Sequence, residues 1–293
     1  MPIRRLLTQG DFFGERNVTE ATDNRTQPLV PFLKWAGGKR WLTSEYGRVF
    51  PATFKNYYEP FLGGAAVYFF LDPPSAVLSD INSELVATYI SIRDDWKSVF
   101  RFLKEHQRNH DQKYYYRVRD ARLMSPHSRA ARFLYLNRTC WNGLYRVNLR
   151  GQFNVPIGTK QAVILNTDDF EELSKKLRNV VLRACDFEGA IDSASEGDFI
   201  FADPPYTAKH NHNGFLKYNH RIFSWADQLR LRDALRRAHD RGCLFALTNA
   251  KHRSIADLYK GFPQKTLRRF SVISGEAHGR GRTEELLIRN YST

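Results

Sequence analysis

The chain has 293 residues, 42% of them hydrophobic and 26% charged, enough for one large buried core or for one domain with an insertion. Its formal net charge of +14, from 45 Lys and Arg against 31 Asp and Glu, selects polyanionic partners, with nucleic acid ahead of an anionic membrane. No apolar run approaches the roughly 18 residues that span a bilayer, and the amino terminus lacks an apolar signal core. Cys140, Cys185 and Cys243 are odd in number and form no C-x-x-C pair. These features argue against a membrane protein, a disulfide framework and a structural zinc site, and a reducing, cytoplasmic setting is expected.

Residues 1 to about 30 are polar and without a sustained period, and read as an N-terminal extension. The stretch Lys34-Trp35-Ala36-Gly37-Gly38-Lys39 follows. Its paired glycines let backbone approach a ligand, and Lys39 supplies a cation. It is no Walker A loop, because the G-x-x-x-x-G frame and the Ser or Thr after the lysine are missing. A first strand is predicted to end near Glu59. It runs through Pro60 and Phe61 into a turn at Gly63 and Gly64, an apolar helix, and a second strand that ends in Asp80. Glycines at the first turn with an acid at the end of the next strand suit an adenosine ligand, the acid accepting bonds from ribose hydroxyls. The phosphate-cradling G-x-G-x-x-G spacing is absent. S-adenosylmethionine, which has a ribose and no pyrophosphate, fits better than a dinucleotide.

Apolar residues from Leu85 to Leu103 recur at helical spacing, with Asp94 and Asp95 marking a break between two helices. A basic, tyrosine-rich segment (113–122) and a further helix ending near Arg138 come next. The run Asn137 to Pro156 combines arginine, asparagine and planar side chains, as base readout and stacking require. It reads as a turn at Gly143 and a short hairpin with its tip near Arg150 and Gly151. Thr167 and Asp168 could cap a short helix. The strand–helix alternation then resumes with a strand from Val180 to Ala184 leading to Asp186 and Phe187.

The apolar run Phe199 to Ala202 has the length of a buried parallel strand and stops at Asp203-Pro204-Pro205-Tyr206. The prolines end ladder pairing and leave Asp203 and Tyr206 at the strand's carboxyl end, where open α/β sheets hold ligands. Ser224 caps a basic amphipathic helix stopped at Gly242. Two further strands, from Cys243 to Thr248 and from Glu285 to Tyr291, close the chain.

Taken together, the motifs F-L-K-W-A-G-G-K (32–39), E-P-F-L-G-G (59–64), D-I-N (80–82), N-R-T-C-W-N-G-L-Y-R-V-N (137–148) and D-P-P-Y (203–206) resemble those of the Dam-type DNA adenine-N6 methyltransferases. In that subclass the cofactor motif precedes the target-recognition insertion. The resemblance implies an α/β fold: a doubly wound, Rossmann-like methyltransferase sheet, with a mainly helical insertion that carries a β-hairpin. It places the S-adenosylmethionine-binding catalytic domain at 31–83 and 161–293, and the DNA target-recognition domain at 84–160. It assigns Trp35, Ala36, Gly37, Gly38, Lys39, Glu59, Phe61, Gly63, Asp80, Asp186, Phe187 and Asp203 to the cofactor. Lys39 would lie near the cofactor's carboxylate, Asp80 on the ribose, and Asp186 with Phe187 along the adenine. Lys34, Arg138, Trp141, Asn142, Leu144, Arg146, Asn148 and Pro156 would face double-stranded DNA, and Asp203, Pro204, Pro205 and Tyr206 would carry the chemistry. No metal, membrane or obligate protein partner is implied.

The family commonly methylates adenine in GATC, although changes in the hairpin alter base preference. The D-P-P-Y chemistry alone also admits cytosine N4 or RNA adenine as acceptors, and a basic DNA-binding protein with a vestigial cofactor site is the non-enzymatic alternative. The charge balance makes one quantitative demand. Affinity for DNA must fall steeply between about 50 and 200 mM salt through counterion release. A flat response in a titration over that range would rule out the expected phosphate contacts.

Overall fold

The computed structural model describes residues 29–148, 150–207, 223–270 and 282–292. The N-terminal extension therefore falls almost wholly outside the described residues. The strands are β1 (Tyr57–Glu59), β2 (Ala76–Asp80), β3 (Val180–Ala184), β4 (Phe199–Ala202), β5 (Leu244–Ala250), β6 (Gln264–Phe270) and β7 (Arg282–Arg289). They form one sheet in the order β3-β2-β1-β4-β5-β7-β6. The strands from β3 to β5 are parallel, whereas β7 lies antiparallel between β5 and β6. The helices are α1 (Arg40–Tyr46), α2 (Ala66–Leu71), α3 (Ser83–Asn109), α4 (Gln112–Asp120), α5 (Pro126–Thr139), α6 (Phe170–Leu177), α7 (Phe187–Asp192), α8 (Trp225–Asp240) and α9 (Arg253–Leu258).

The central strand β4 is apolar and buried throughout because both faces of the sheet are covered. Tyr57, Phe199 and Phe201 enter one core, which also holds residues of α2, α3, α5 and α6. Their neighbours Tyr58, Ile200 and Ala202 enter the other, with residues of α7, α8 and α9. The period of two thus sends successive side chains of β1 and β4 into two buried layers.

The helix expected to break at Asp94 and Asp95 does so. Asp95 leaves helical geometry (φ −152°, ψ 70°), and its carboxylate caps the second half by accepting from the Ser98 N–H at 3.1 Å. Ser224 caps α8 in a reciprocal capping box with Asp227. Strand β6 was not anticipated. Its sequence, Gln-Lys-Thr-Leu-Arg-Arg-Phe, is polar because it is a sheet edge, where charge discourages further pairing. The helices α1, α7 and α9, of six or seven residues, are too short to show a period.

The segment 84–160 shares one core with the sheet: Tyr89, Tyr115, Leu134 and Val155 belong to the same apolar cluster as Leu78 and Phe199. Arg138 is part of that junction. Rather than facing DNA, it is buried. Its guanidinium forms a two-pronged pair with Asp168 (2.7 Å at each nitrogen) and donates to the carbonyls of Val163 and Phe32 at 2.6 and 2.9 Å. Asp168, expected as a helix cap, is spent on this pair. The cap of α6 is Asp169, which accepts from the Glu172 N–H at 2.9 Å.

Two buried ionisable sites give stability predictions. Asp168→Ala strands the Arg138 guanidinium and should cost about 3–5 kcal/mol in denaturant unfolding. The paired change Arg138→Met with Asp168→Leu should cost less than the single one. Glu59, buried in β1 and accepting the Tyr57 hydroxyl at 2.9 Å, has its carboxyl pushed up by burial to about 8. It stays protonated in the fold at pH values where the unfolded chain has released the proton, so it erodes stability as pH rises from about 4.5 to 8. Glu59→Gln should therefore gain on the wild type between pH 5 and 8, by on the order of 1 kcal/mol per pH unit, in paired unfolding curves. Parallel curves would exclude the buried neutral carboxyl.

Candidate active site

Strand order reverses between β1 and β4, and the crevice at their carboxyl ends is where a sheet of this kind admits a ligand. Asp203 leaves β4 at that point. Its Oδ1 accepts from the Thr248 hydroxyl of β5 at 2.7 Å, and its Oδ2 meets the Lys39 ammonium at 2.8 Å. Lys39 is buried. It also donates to the Gly37 carbonyl at 2.7 Å and faces Glu285 Oε2 at 3.5 Å. Burial raises the proton affinity of Asp203, and the adjacent ammonium opposes that rise. The Tyr206 hydroxyl donates to Glu285 Oε2 at 2.5 Å, and the Lys39 ammonium lies 5.1 Å from the centre of its ring. Burial, then the charges of Asp203 and Glu285, hold the phenol well above its ordinary range.

Across the crevice, the E-P-F-L-G-G turn brings Gly63 to φ +45°. A Cβ there would sit 2.8 Å from the Trp35 indole, so both conformation and space require glycine. Trp35 is itself flanked by Phe133 and Tyr145, with ring centroids 6.3 and 5.7 Å away. Asp80 is held by the N–H groups of Gly63 (3.2 Å) and Asn82 (2.9 Å) and remains partly accessible. The next residue, Ile81, is 71% exposed, an apolar face beside a partly open carboxylate. Phe187 stacks on Phe61 at 5.4 Å, and both meet Phe223. Asp186 caps α7 through the Glu188 N–H and pairs with Arg230 at 2.8 Å. Ala36, Gly37 and Gly38 form an exposed turn above Lys39.

The crevice therefore offers an accessible acid for hydroxyl groups and apolar and aromatic walls for a purine. That donor set fits S-adenosylmethionine. The Lys39 ammonium, at the edge of this crevice, is engaged by Asp203 and the Gly37 carbonyl.

The residues expected to face DNA lie on and beside a hairpin. Val147 pairs with Phe153 and Cys140 with Ile157, and the Asn148 side chain caps the tip by accepting from the Arg150 and Gln152 N–H groups. Trp141 is 54% exposed beside exposed Asn142, which adopts φ +55°. Leu144 and Arg146 are half-buried, Arg146 donating to Asn154 at 3.0 Å, and Pro156 is exposed. Lys34 is exposed, with its backbone bonded both ways to the Asn137 side chain at 3.0 and 2.8 Å. Gly143 at φ +63° leaves room for the Lys34 stem, which a Cβ would approach at 2.5 Å. Arg138, as described, is not part of this surface.

Thr248, Glu285 and Arg269, which completes the network by donating to Glu285 Oε1 at 3.0 Å, were not singled out as site residues. They reach Asp203 and Tyr206 from other strands, and no local motif marks them.

Comparison with known proteins agrees with this geometry. Residues 35–277 match the model of the D12 class N6 adenine-specific DNA methyltransferases. A type II methyltransferase of Lactococcus lactis subsp. cremoris, M1.LlaDCHI, is 37% identical over 272 residues, covering 90% of this chain and 96% of that one. The DNA N-6-adenine-methyltransferase of Escherichia phage P1 is 32% identical over 286 residues, covering 93% of this chain and 37% of that one. The DNA adenine methylase of Haemophilus influenzae is 29% identical over 265 residues, covering 88% and 92%. These matches favour DNA over RNA and adenine N6 over cytosine N4, and they set aside the non-enzymatic alternative. The chain belongs to the D12 class of N6 adenine-specific DNA methyltransferases and takes its methyl group from S-adenosylmethionine.

Proposed function

We propose that the enzyme acts on adenine in double-stranded DNA, swinging the base out of the helix into the crevice below Asp203, with GATC as the first site to test. The observation that carries this reading is the Asp203 carboxylate, held by Lys39 and Thr248 at the carboxyl edge of β4 beside the cofactor crevice. We further propose that residues 31–83 and 161–293 perform catalysis while 84–160 selects the target, without an obligate protein partner, in whatever compartment holds the DNA.

The amino nitrogen of adenine is a poor nucleophile because its lone pair is delocalised into the ring. When bound, S-adenosylmethionine supplies an electrophilic sulfonium methyl. The Asp203 carboxylate and the Pro204 carbonyl accept the two amino hydrogens and draw the nitrogen toward tetrahedral geometry, which frees its lone pair for attack. The Lys39 ammonium opposes the rise in proton affinity that burial gives Asp203 and so favours the acceptor carboxylate. Once the methyl becomes its fourth substituent the nitrogen is cationic and must shed a proton, and Asp203 is the base within reach. Tyr206 stacks on the extruded base, an extrusion that costs a few kcal/mol. Trp141 and Asn142, exposed on their turn, fill the gap left in the duplex. Asp80 takes the ribose hydroxyls, and Phe61, Phe187 and Ile81 border the cofactor's adenine, with Asp186 at its edge. Leu144, Arg146, Asn148, Pro156 and Lys34 read or hold the DNA.

Asp203→Ala tests the assignment. Lys39 keeps the Gly37 carbonyl and Glu285 as partners, so the fold and DNA affinity should persist. Incorporation of tritiated methyl groups should fall by about a hundredfold or more. Turnover near the wild-type level would sink the role given to Asp203. Sequencing the methylated adenines in DNA from cells that express the protein checks the site preference in parallel.

A further inference from the structure

The tyrosine proposed to stack on the base is held from a strand far along the chain. Its hydroxyl donates to Glu285 Oε2 at 2.5 Å, across 79 residues of sequence. Glu285 lies on antiparallel β7 and is 2% exposed. Its Oε1 accepts from Arg269 of β6 at 3.0 Å, and its Oε2 faces Lys39 at 3.5 Å. Lys39 in turn meets Asp203 at 2.8 Å. The charges therefore alternate in one row, Arg269, Glu285, Lys39 and Asp203, with Tyr206 hanging from the second member and Thr248 from the fourth.

A carboxylate this buried costs several kcal/mol in desolvation, and a hydrophobic side chain of similar volume would often serve packing as well or better. Stability alone is thus a poor account of Glu285. What the residue does geometrically is tie the two functional side chains of D-P-P-Y to each other. Tyr206 is fixed through its hydroxyl, and Asp203 is fixed through the lysine that both carboxylates share.

We propose that Glu285 is a positioning residue for methyl transfer: it sets the Tyr206 ring against the extruded base and, through Lys39, aims the Asp203 carboxylate at the amino group, while Arg269 balances its charge. This inference rests on the reading above, in which Asp203 and Tyr206 receive the base.

The test is single-turnover methyl transfer with saturating enzyme and S-adenosylmethionine, on an oligonucleotide duplex taken from a sequence that the wild type methylates. The variants are Glu285→Gln, Tyr206→Phe, their combination, and Asp203→Ala. Losing a charge-assisted bond that matters in the transition state should slow Glu285→Gln by about ten- to a hundredfold. Dissociation constants for duplex and cofactor should stay within about threefold of wild type, because a positioning role acts on the chemical step and not on ground-state binding.

Tyr206→Phe breaks the same bond, so the double variant should be no slower than the slower single variant. Fluorescence of 2-aminopurine at the target position should change alike in both singles, since each loosens the stacking ring. A wild-type rate in Glu285→Gln, or penalties that multiply in the double variant, would overturn the proposal. If Glu285→Gln fails to fold, Tyr206→Phe decides alone, and an unchanged rate and fluorescence in that variant overturn it. Asp203→Ala separates the two levels. If it transfers methyl groups near the wild-type rate, the site reading itself falls. If it is inactive while Glu285→Gln is fast, only the role of Glu285 falls.

Discussion

The contact on which the site depends is the 2.8 Å pair between Lys39 and Asp203. It joins the turn before α1 to the end of β4, and β5 and β7 close around it through Thr248 and Glu285. A lysine this buried loses its hydration, and attraction to one carboxylate recovers that cost only when the remaining protons also find acceptors. The Gly37 carbonyl and Glu285 supply them. The left-handed glycine at 37 (φ +78°) is the local requirement, because it bends the backbone so that its own carbonyl reaches the ammonium two residues on. No single strand makes this arrangement. It exists only when parallel β4 and β5 and antiparallel β7 are assembled, which ties the arrangement to completion of the sheet.

The parts of the fold that could be read from the sequence are those whose signal is local. The apolar run before Asp203 is a strand because four buried residues in sequence cannot satisfy their backbone otherwise on a two-sided sheet. The break in α3 was legible because aspartate competes for the backbone and caps the next turn. The acid ending β2 and the glycine turn after β1 were equally visible, and a hydrogen bond does join them, from the Gly63 N–H to Asp80.

What stayed hidden is long-range pairing. Arg138 sits in a run of arginine, asparagine and aromatics that suits DNA, and only its place on the inner side of α5 reveals that its charge belongs to Asp168, 30 residues away. Charge type indicates that a partner exists but not which side of a helix meets it. Glu285 presented the same difficulty from the opposite direction. It looked like the first residue of a terminal strand, and its neighbour Glu284 does spend itself on surface contacts with Lys251 and Arg268. Alternation along β7 sends Glu284 outward and Glu285 inward, so one step in register separates a solvated charge from one at the centre of the site.

The same register logic bears on how target choice and chemistry are connected. The segment Lys34–Trp35 physically joins the hairpin proposed to meet DNA to the Gly63 turn of the crevice. Its backbone is clamped by Asn137 of α5, its lysine stem passes over Gly143 of the exposed turn, and its indole packs between Gly63 on the cofactor side and Tyr145 of the hairpin. A rigid aromatic contact of this kind transmits displacement because packed interiors do not deform smoothly. Under the function proposed above, a hairpin seated on DNA would bear on the Trp35 ring, which packs against the Gly63 turn. The consequence for altering specificity is an asymmetry within the hairpin. Exposed positions such as Trp141 and Asn142 can change with little effect on the crevice, whereas Gly143 and Tyr145 carry load in both directions. Replacing them would disturb the packing of Lys34 and Trp35 together with the hairpin.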